Sequence, residues 1–171
     1  EATHARRRNA TVTTVAPTGT ISLIAGCSPG IEPLYGVQVV RRALEGLELT
    51  MLHPAFKRMI RARGLDPAKF QTDLSGNPSI RHITRIPEEI RRLFVTAHDM
   101  DYGQHVRMQA AFQRYSDSGV SKTINLPSTT TKAEVADAFL LAYRLGCKGL
   151  TVFRTGSREH QVLSCSPNQP C

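Results

Sequence analysis

The chain has 171 residues, enough for one core, and a formal net charge of +8. It has no run of 18 or more apolar residues, so no membrane-crossing helix is expected, and no apolar signal-peptide core follows the basic Arg6-Arg7-Arg8. The cysteines at 27, 147, 165 and 171 do not make the framework of a small secreted domain, so a cytoplasmic protein is expected. Position 1 is Glu rather than Met, which suggests a fragment or a processed chain.

In chain order, Thr11 to Val15 is β-branched almost throughout and reads as a strand that Pro17 stops. Thr18, Gly19, Thr20 and Ser22 then supply hydroxyls and one flexible backbone position, and Ile21 to Ala25 begins a short helix. Strand, small-residue turn and helix N-terminus together make an anion site, because free N–H groups and the helix dipole face the ligand. On the residues alone an ordinary capped turn explains the run equally well. No Gly-Lys-Thr or Gly-Lys-Ser follows, so it is not a Walker loop. Gly30, Pro33 and Gly36 set an irregular link, and Val37 to Val40 reads as a short strand.

The spacing of Leu52, Phe56, Met59 and Ile60 predicts a helix over Leu47–Arg63, ended by Gly64, and 67–79 reads as loop. A second helix is predicted over Ile86–Met100, with Pro87 in its first turn and Ile86, Ile90, Leu93, Phe94 and Ala97 inward. A third, His105–Tyr115, has Val106, Ala110 and Phe112 as inner positions. Val120 to Leu126 is a strand stopped by Pro127. Thr131 with Glu134 is a capping box opening a helix lined by Val135, Ala138, Phe139 and Ala142 and stopped at Gly146. Leu150 to Phe153 is the next strand, so a parallel βαβ unit and an α/β class follow. The tail from Glu159 has no periodicity.

Among chemical candidates, Lys122 and Asn125 lie near a strand C-terminal end, where α/β proteins collect ligands; strand solvation and a turn explain them too. Gln109 and Gln113 flank Ala110 and Ala111, a pattern of close helix-on-sheet packing with a cofactor-facing role as the lesser reading. His98, Asp101 and His105 have metal-compatible helical spacing, but Tyr102-Gly103 is expected to break the helix there. Cys27 and Cys147 read as inert small residues. The basic residues crowded between Arg41 and Arg92 favour an anionic partner, or else form a solvated or covered face.

Four stretches are similar to one family, in that family's order. They are Pro17-Thr18-Gly19-Thr20-Ile21-Ser22 with Gly30-Ile31-Glu32-Pro33, Arg107 to Gln113, Val120 to Pro127, and Gly146 to Arg154 with Gly156-Ser157-Arg158. The chain resembles the adenosylcobalamin-dependent (class II) ribonucleotide reductases. The resemblance implies the C-terminal portion of a ten-stranded α/β barrel over residues 1–158 and a flexible tail over 159–171. It implies that Pro17 to Ser22 bind the phosphates of a ribonucleoside di- or triphosphate, with Lys122 and Asn125 as further ligand contacts. The family's radical cysteine motif is not in this chain, so no catalytic residue is expected here. Cys165 and Cys171 resemble the mobile redox pair that such reductases carry, and their reduction implies a thioredoxin-like reductant. Iron-dependent relatives relay a radical through paired tyrosines where this chain has Thr151-Val152-Phe153, which favours adenosylcobalamin. Phe153-Arg154-Thr155 stands where this class often has Tyr-Arg-Asp. The remainder of the barrel, and a homodimer of the complete enzyme, complete the implied partners. A non-catalytic nucleotide- or nucleic-acid-binding basic module is the alternative.

Overall fold

The structure is a computed structural model that describes residues 8–42, 48–157 and 163–164. Its elements are α1 (Gly19–Ala25), β1 (Gln38–Arg42), β2 (Glu48–Leu52), α2 (Pro54–Ala62), α3 (Glu88–Leu93), α4 (Tyr102–Gln113), β3 (Thr123–Leu126), α5 (Lys132–Arg144), β4 (Thr151–Arg154) and β5 (Leu163–Ser164). The class is mixed α/β. β1 pairs antiparallel with β2 and with β5, and β3 pairs in parallel with β4 across α5. That βαβ unit is the one the sequence predicts. Among the described residues no barrel closes, as a partial barrel requires.

Each departure from the expected elements has a local cause. The helix predicted over Leu47–Arg63 starts only at Pro54, and Glu48–Leu52 is a strand. Proline lacks an N–H and clashes with the preceding turn, so it suits a first helical position and not an interior one. The helix predicted over Ile86–Met100 stops at Leu93. Thr96 caps a separate short turn, donating from its backbone and hydroxyl to Asp99 Oδ2 at 2.7 and 2.8 Å. Leu93, expected inside, is exposed. Tyr102-Gly103 opens α4 instead of breaking it, because Asp101 Oδ1 accepts from the Gln104 N–H at 2.9 Å. Thr11 to Val15 forms no ladder. It runs extended, bridges once from Val15 to Val120 in parallel, and is pinned by Asp117, which accepts from the Val12 and Thr13 N–H groups. Leu163–Ser164 lies on the edge of β1, so part of the expected flexible tail belongs to a sheet.

Two apolar clusters hold the elements. One gathers Phe56 and Ile60 of α2, Phe70, Leu74, Ile80, Ile83, Ile86, Ile90 and Phe94. Phe94 meets Phe56 edge to face at 5.4 Å. The other packs Val106 of α4 and Ala142 of α5 on Ile124 and Leu126 of β3. Phe112 and Phe139, both expected inside, point outward. The buried side chains of these helices include Val106, Gln109 and Gln113 of α4 and Ala138 and Ala142 of α5.

Candidate functional site

The predicted anion loop lies between Val15 and α1. Thr18 sits at φ +52, a left-handed conformation that costs a β-branched residue roughly 1–2 kcal/mol. Its carbonyl accepts from the Ser22 N–H at 3.0 Å and so closes the first turn. The N–H groups of Gly19, Thr20 and Ile21 precede the first intrahelical bond, so none finds an acceptor inside the helix. Pro17, Gly19, Thr20 and Ile21 are exposed and Thr18 is half-buried. Ser22 is buried, and its hydroxyl donates to the Gly19 carbonyl at 2.8 Å. The loop therefore offers three backbone donors and the hydroxyls of Thr18 and Thr20, while the Ser22 hydroxyl is spent on the helix.

The Gly30-Ile31-Glu32-Pro33 run packs behind this loop. A Cβ on Gly30 would lie 2.9 Å from the Ala16 carbonyl oxygen, and φ there is +51, so only glycine fits without strain. Glu32 reaches across to the start of β3. Its Oε2 accepts from Lys122 Nζ at 2.7 Å, and its Oε1 accepts from the Thr123 N–H at 2.5 Å. Lys122 does face an anion, and that anion is Glu32: the lysine side chain is 0% exposed.

His105 stands beside this pair. Its Nε2 lies 3.0 Å from the Ala97 carbonyl, an acceptor, so the proton sits on Nε2 and Nδ1 is left buried without a partner. Burial foremost, and then the Lys122 charge, hold its pKa below the usual histidine value, against the upward pull of the Ala97 carbonyl, Glu32 and Asp101. His98, Asp101 and His105 do not converge. His98 packs edge to face on Tyr35, Asp101 caps α4, and His105 is inside. Among the described residues no group of three or more metal-ligating side chains forms.

Gln109 and Gln113 sit at a helix-on-sheet contact, as the sequence predicts, and bond across it. Gln109 Nε2 donates to the carbonyls of Val120 at 3.1 Å and Gly149 at 2.7 Å. Gln113 Nε2 donates to Ser116 and Ser118, and its Oε1 accepts from the Lys148 N–H at 3.3 Å. Both tie the run-ins of β3 and β4 to α4. Asn125 is half-buried opposite Phe153. A cavity of about 250 Å³ opens beside the ends of these strands, lined by Pro127, Ser128, Thr155, His98 and residues 77–79. Cys27 is exposed, Cys147 is half-buried with its thiol pKa pushed up by burial, and Cys165 and Cys171 lie outside the described residues.

The ribonucleotide reductase barrel domain model matches residues 4–153. This chain belongs to the ribonucleotide reductase barrel-domain family. It is 46% identical over 159 residues to a vitamin B12-dependent ribonucleoside-diphosphate reductase of Thermoplasma acidophilum, covering 93% of this chain and 21% of that protein. A protein of the same description from Mycobacterium tuberculosis is 44% identical over 164 residues, covering 96% and 24%. The chain thus spans about a quarter or less of the length of these relatives. In fold it is similar to the class Id reductase alpha subunit of Actinobacillus ureae, with a TM-score of 0.71 and 24% identity over 88% of this chain and 27% of that one. It is also similar to a B-12 dependent (class II) reductase, at a TM-score of 0.50 and 18% identity, over 92% and 20%. The cavity lined by Pro127, Ser128, Thr155, His98 and residues 77–79 does not by itself hold a corrin. At about 250 Å³ it is smaller than the roughly 300–1,000 Å³ typical of small-molecule pockets.

Proposed function

We propose that this chain is the C-terminal, substrate-phosphate-binding part of the catalytic barrel of an adenosylcobalamin-dependent ribonucleotide reductase, acting in the cytoplasm. The observation that carries the proposal is its 46% identity over 159 residues to a B12-dependent ribonucleoside-diphosphate reductase. The reaction replaces the ribose 2′-hydroxyl of a ribonucleotide by hydrogen and releases water. Two cysteine thiols supply the two electrons and become a disulfide. Adenosylcobalamin supplies radical generation when bound. The deoxyribonucleotide product serves DNA synthesis.

Within that reaction this chain binds and orients. The N–H groups of Gly19, Thr20 and Ile21 and the hydroxyls of Thr18 and Thr20 hold the substrate phosphates at the positive end of α1. The phosphates lie away from the reacting sugar carbon, so the loop contributes by placement. The radical cysteine is supplied by the remainder of the barrel, and the chain alone does not turn over. A tail pair, Cys165 and Cys171, passes electrons from a thioredoxin-like reductant by thiol–disulfide exchange. The complete enzyme is a homodimer.

The alternative, a basic nucleic-acid-binding module, has less support. Arg63, Arg81, Arg85 and Arg92 already pair with Glu89, Asp99, Asp73 and Glu88. Mixing this chain with the polypeptide that supplies the rest of the barrel, adenosylcobalamin and a dithiol tests the proposal. Deoxyribonucleotide formed only when both chains are present supports it. A folded complex that makes none overturns it, and steeply salt-dependent DNA binding would favour the alternative.

A further inference from the structure

Residues 16–31 leave the sheet at Val15 and return to it at Glu32, and both ends of this excursion are fastened to three consecutive residues. The Ser121 N–H donates to the Val15 carbonyl at 2.9 Å on the outgoing side. On the return side, Lys122 Nζ and the Thr123 N–H both donate to the Glu32 carboxylate. Between the two fastenings the loop has mainly local bonds of its own, Ser22 to Thr18, Ser22 to Gly19 and Cys27 to Ser22. Of the apolar side chains of α1, Ile21 is 63% and Ile24 82% exposed, so neither anchors the helix on the described residues.

We infer that Ser121-Lys122-Thr123 and Glu32 form a clasp that positions the phosphate-binding loop, with Lys122 a positioning residue rather than a ligand contact. The inference rests on the reading of residues 17–22 as that loop. A fully buried lysine is costly, and an ion pair of this kind commonly gains less than a hydrophobic replacement would. Its use here is geometric. Glu32 has both carboxylate oxygens engaged, which fixes the chain two residues after Gly30. Gly30 in turn lies against the Ala16 carbonyl with no room for a Cβ and 3.8 Å from Thr18 Oγ1 by the same measure. Movement of Glu32 is therefore passed through Gly30 to Ala16 and Thr18, the residues that set the direction of the free N–H groups.

The test uses the full 171-residue chain, isotopically labelled, followed by amide hydrogen exchange and by titration with inorganic pyrophosphate. The variants are Glu32→Gln, Lys122→Met and the double variant. The double variant is diagnostic because it removes the pair without leaving one charge buried and alone. Exchange at Ser22 and Cys27 is expected to quicken roughly tenfold in the double variant, while Leu74 and Phe94 in the other cluster keep their rates. Pyrophosphate affinity, read at Gly19, Thr20 and Ile21, falls only in proportion to the loss of binding-competent loop, so a loop that stays mostly closed keeps most of its affinity while its exchange quickens. Unchanged Ser22 exchange overturns the inference. So does acceleration that is equal at Ser22, Leu74 and Phe94, which marks general destabilisation. If the wild-type loop does not respond to pyrophosphate at all, the phosphate reading fails, and the exchange comparison still decides the clasp.

Discussion

At the scale of single residues, the polar groups buried between α4 and the sheet do the least expected work. Gln109 is almost fully buried, and one amide group satisfies two carbonyls 29 residues apart in sequence, at Val120 and Gly149 just before β3 and β4. Gln109→Leu leaves both carbonyls dry and without a donor, which should cost about 1–3 kcal/mol. In thermal unfolding of a chain this size each kcal/mol is worth roughly 2–4 °C, so the drop is measurable. A variant that melts with the wild type would mean that those carbonyls find other donors. Helical spacing alone did not reveal this role. It assigns faces to apolar residues, whereas here the turns at 116–120 and 147–149 present carbonyls that only a long amide side chain reaches. Thr18 to Ser22 were legible as a loop of donors, but the consumption of the Ser22 hydroxyl by its own helix was not. Lys122 was legible as a cation that needs an anion; Glu32, distant in sequence, is supplied only by the fold.

At the scale of elements, boundaries were legible where a familiar capping box or a glycine marks them. The Thr131–Glu134 capping box forms as the sequence predicts, with the Glu134 carboxylate accepting from the Thr131 N–H and hydroxyl at 2.7 and 2.9 Å. Thr131→Ala should cost about 1 kcal/mol, visible as a lower urea midpoint with an unchanged slope. No change in midpoint would show that α5 is held by its packing alone. The boxes at Thr96–Asp99 and Asp101–Gln104 use less familiar pairs: apolar spacing running across the first predicted one helix over Ile86–Met100, and the second starts α4 at Tyr102 rather than at the predicted His105. β2 was hidden for a related reason: Leu52 has the right distance from Phe56 for a helix face, and only Pro54 between them carries the break. Gly146, at φ +76, stops α5 as expected, and its N–H donates to the Tyr143 carbonyl at 3.0 Å.

At the scale of the whole molecule, the shifted histidines and carboxylates lean one way. Burial holds His53, His98 and His105 below the usual histidine value. The unfolded chain therefore takes up protons first, and stability falls as pH drops through about 6.5. Asp117 is held low first by the Val12 N–H and Glu134 first by the Thr131 N–H. Their contribution is present above about pH 4 and is lost as pH falls further. The urea midpoint should decline from pH 7.5 to 5.5 and again below about 4.5, with the upper decline shallower in His105→Gln. A midpoint that is flat between 7.5 and 5.5 would show that these histidines protonate as freely folded as unfolded. The βαβ unit and the family were readable because periodicity, capping and motif order agree there. The extent of the barrel was not, since a sheet closes through strands that a segment of this length does not carry.

The parallel pair β3–β4 has one more consequence. Among the described residues β4 has β3 on one side and no strand on the other, so its outer row of N–H and C=O groups points at whatever comes next. Such a row does not discriminate strongly by side chain; it offers a template of spacing. In the assembled barrel the template is filled by a defined neighbour. In a concentrated solution of this segment alone, the nearest extended backbone is another copy, and the edge built for closure becomes a seed for self-association.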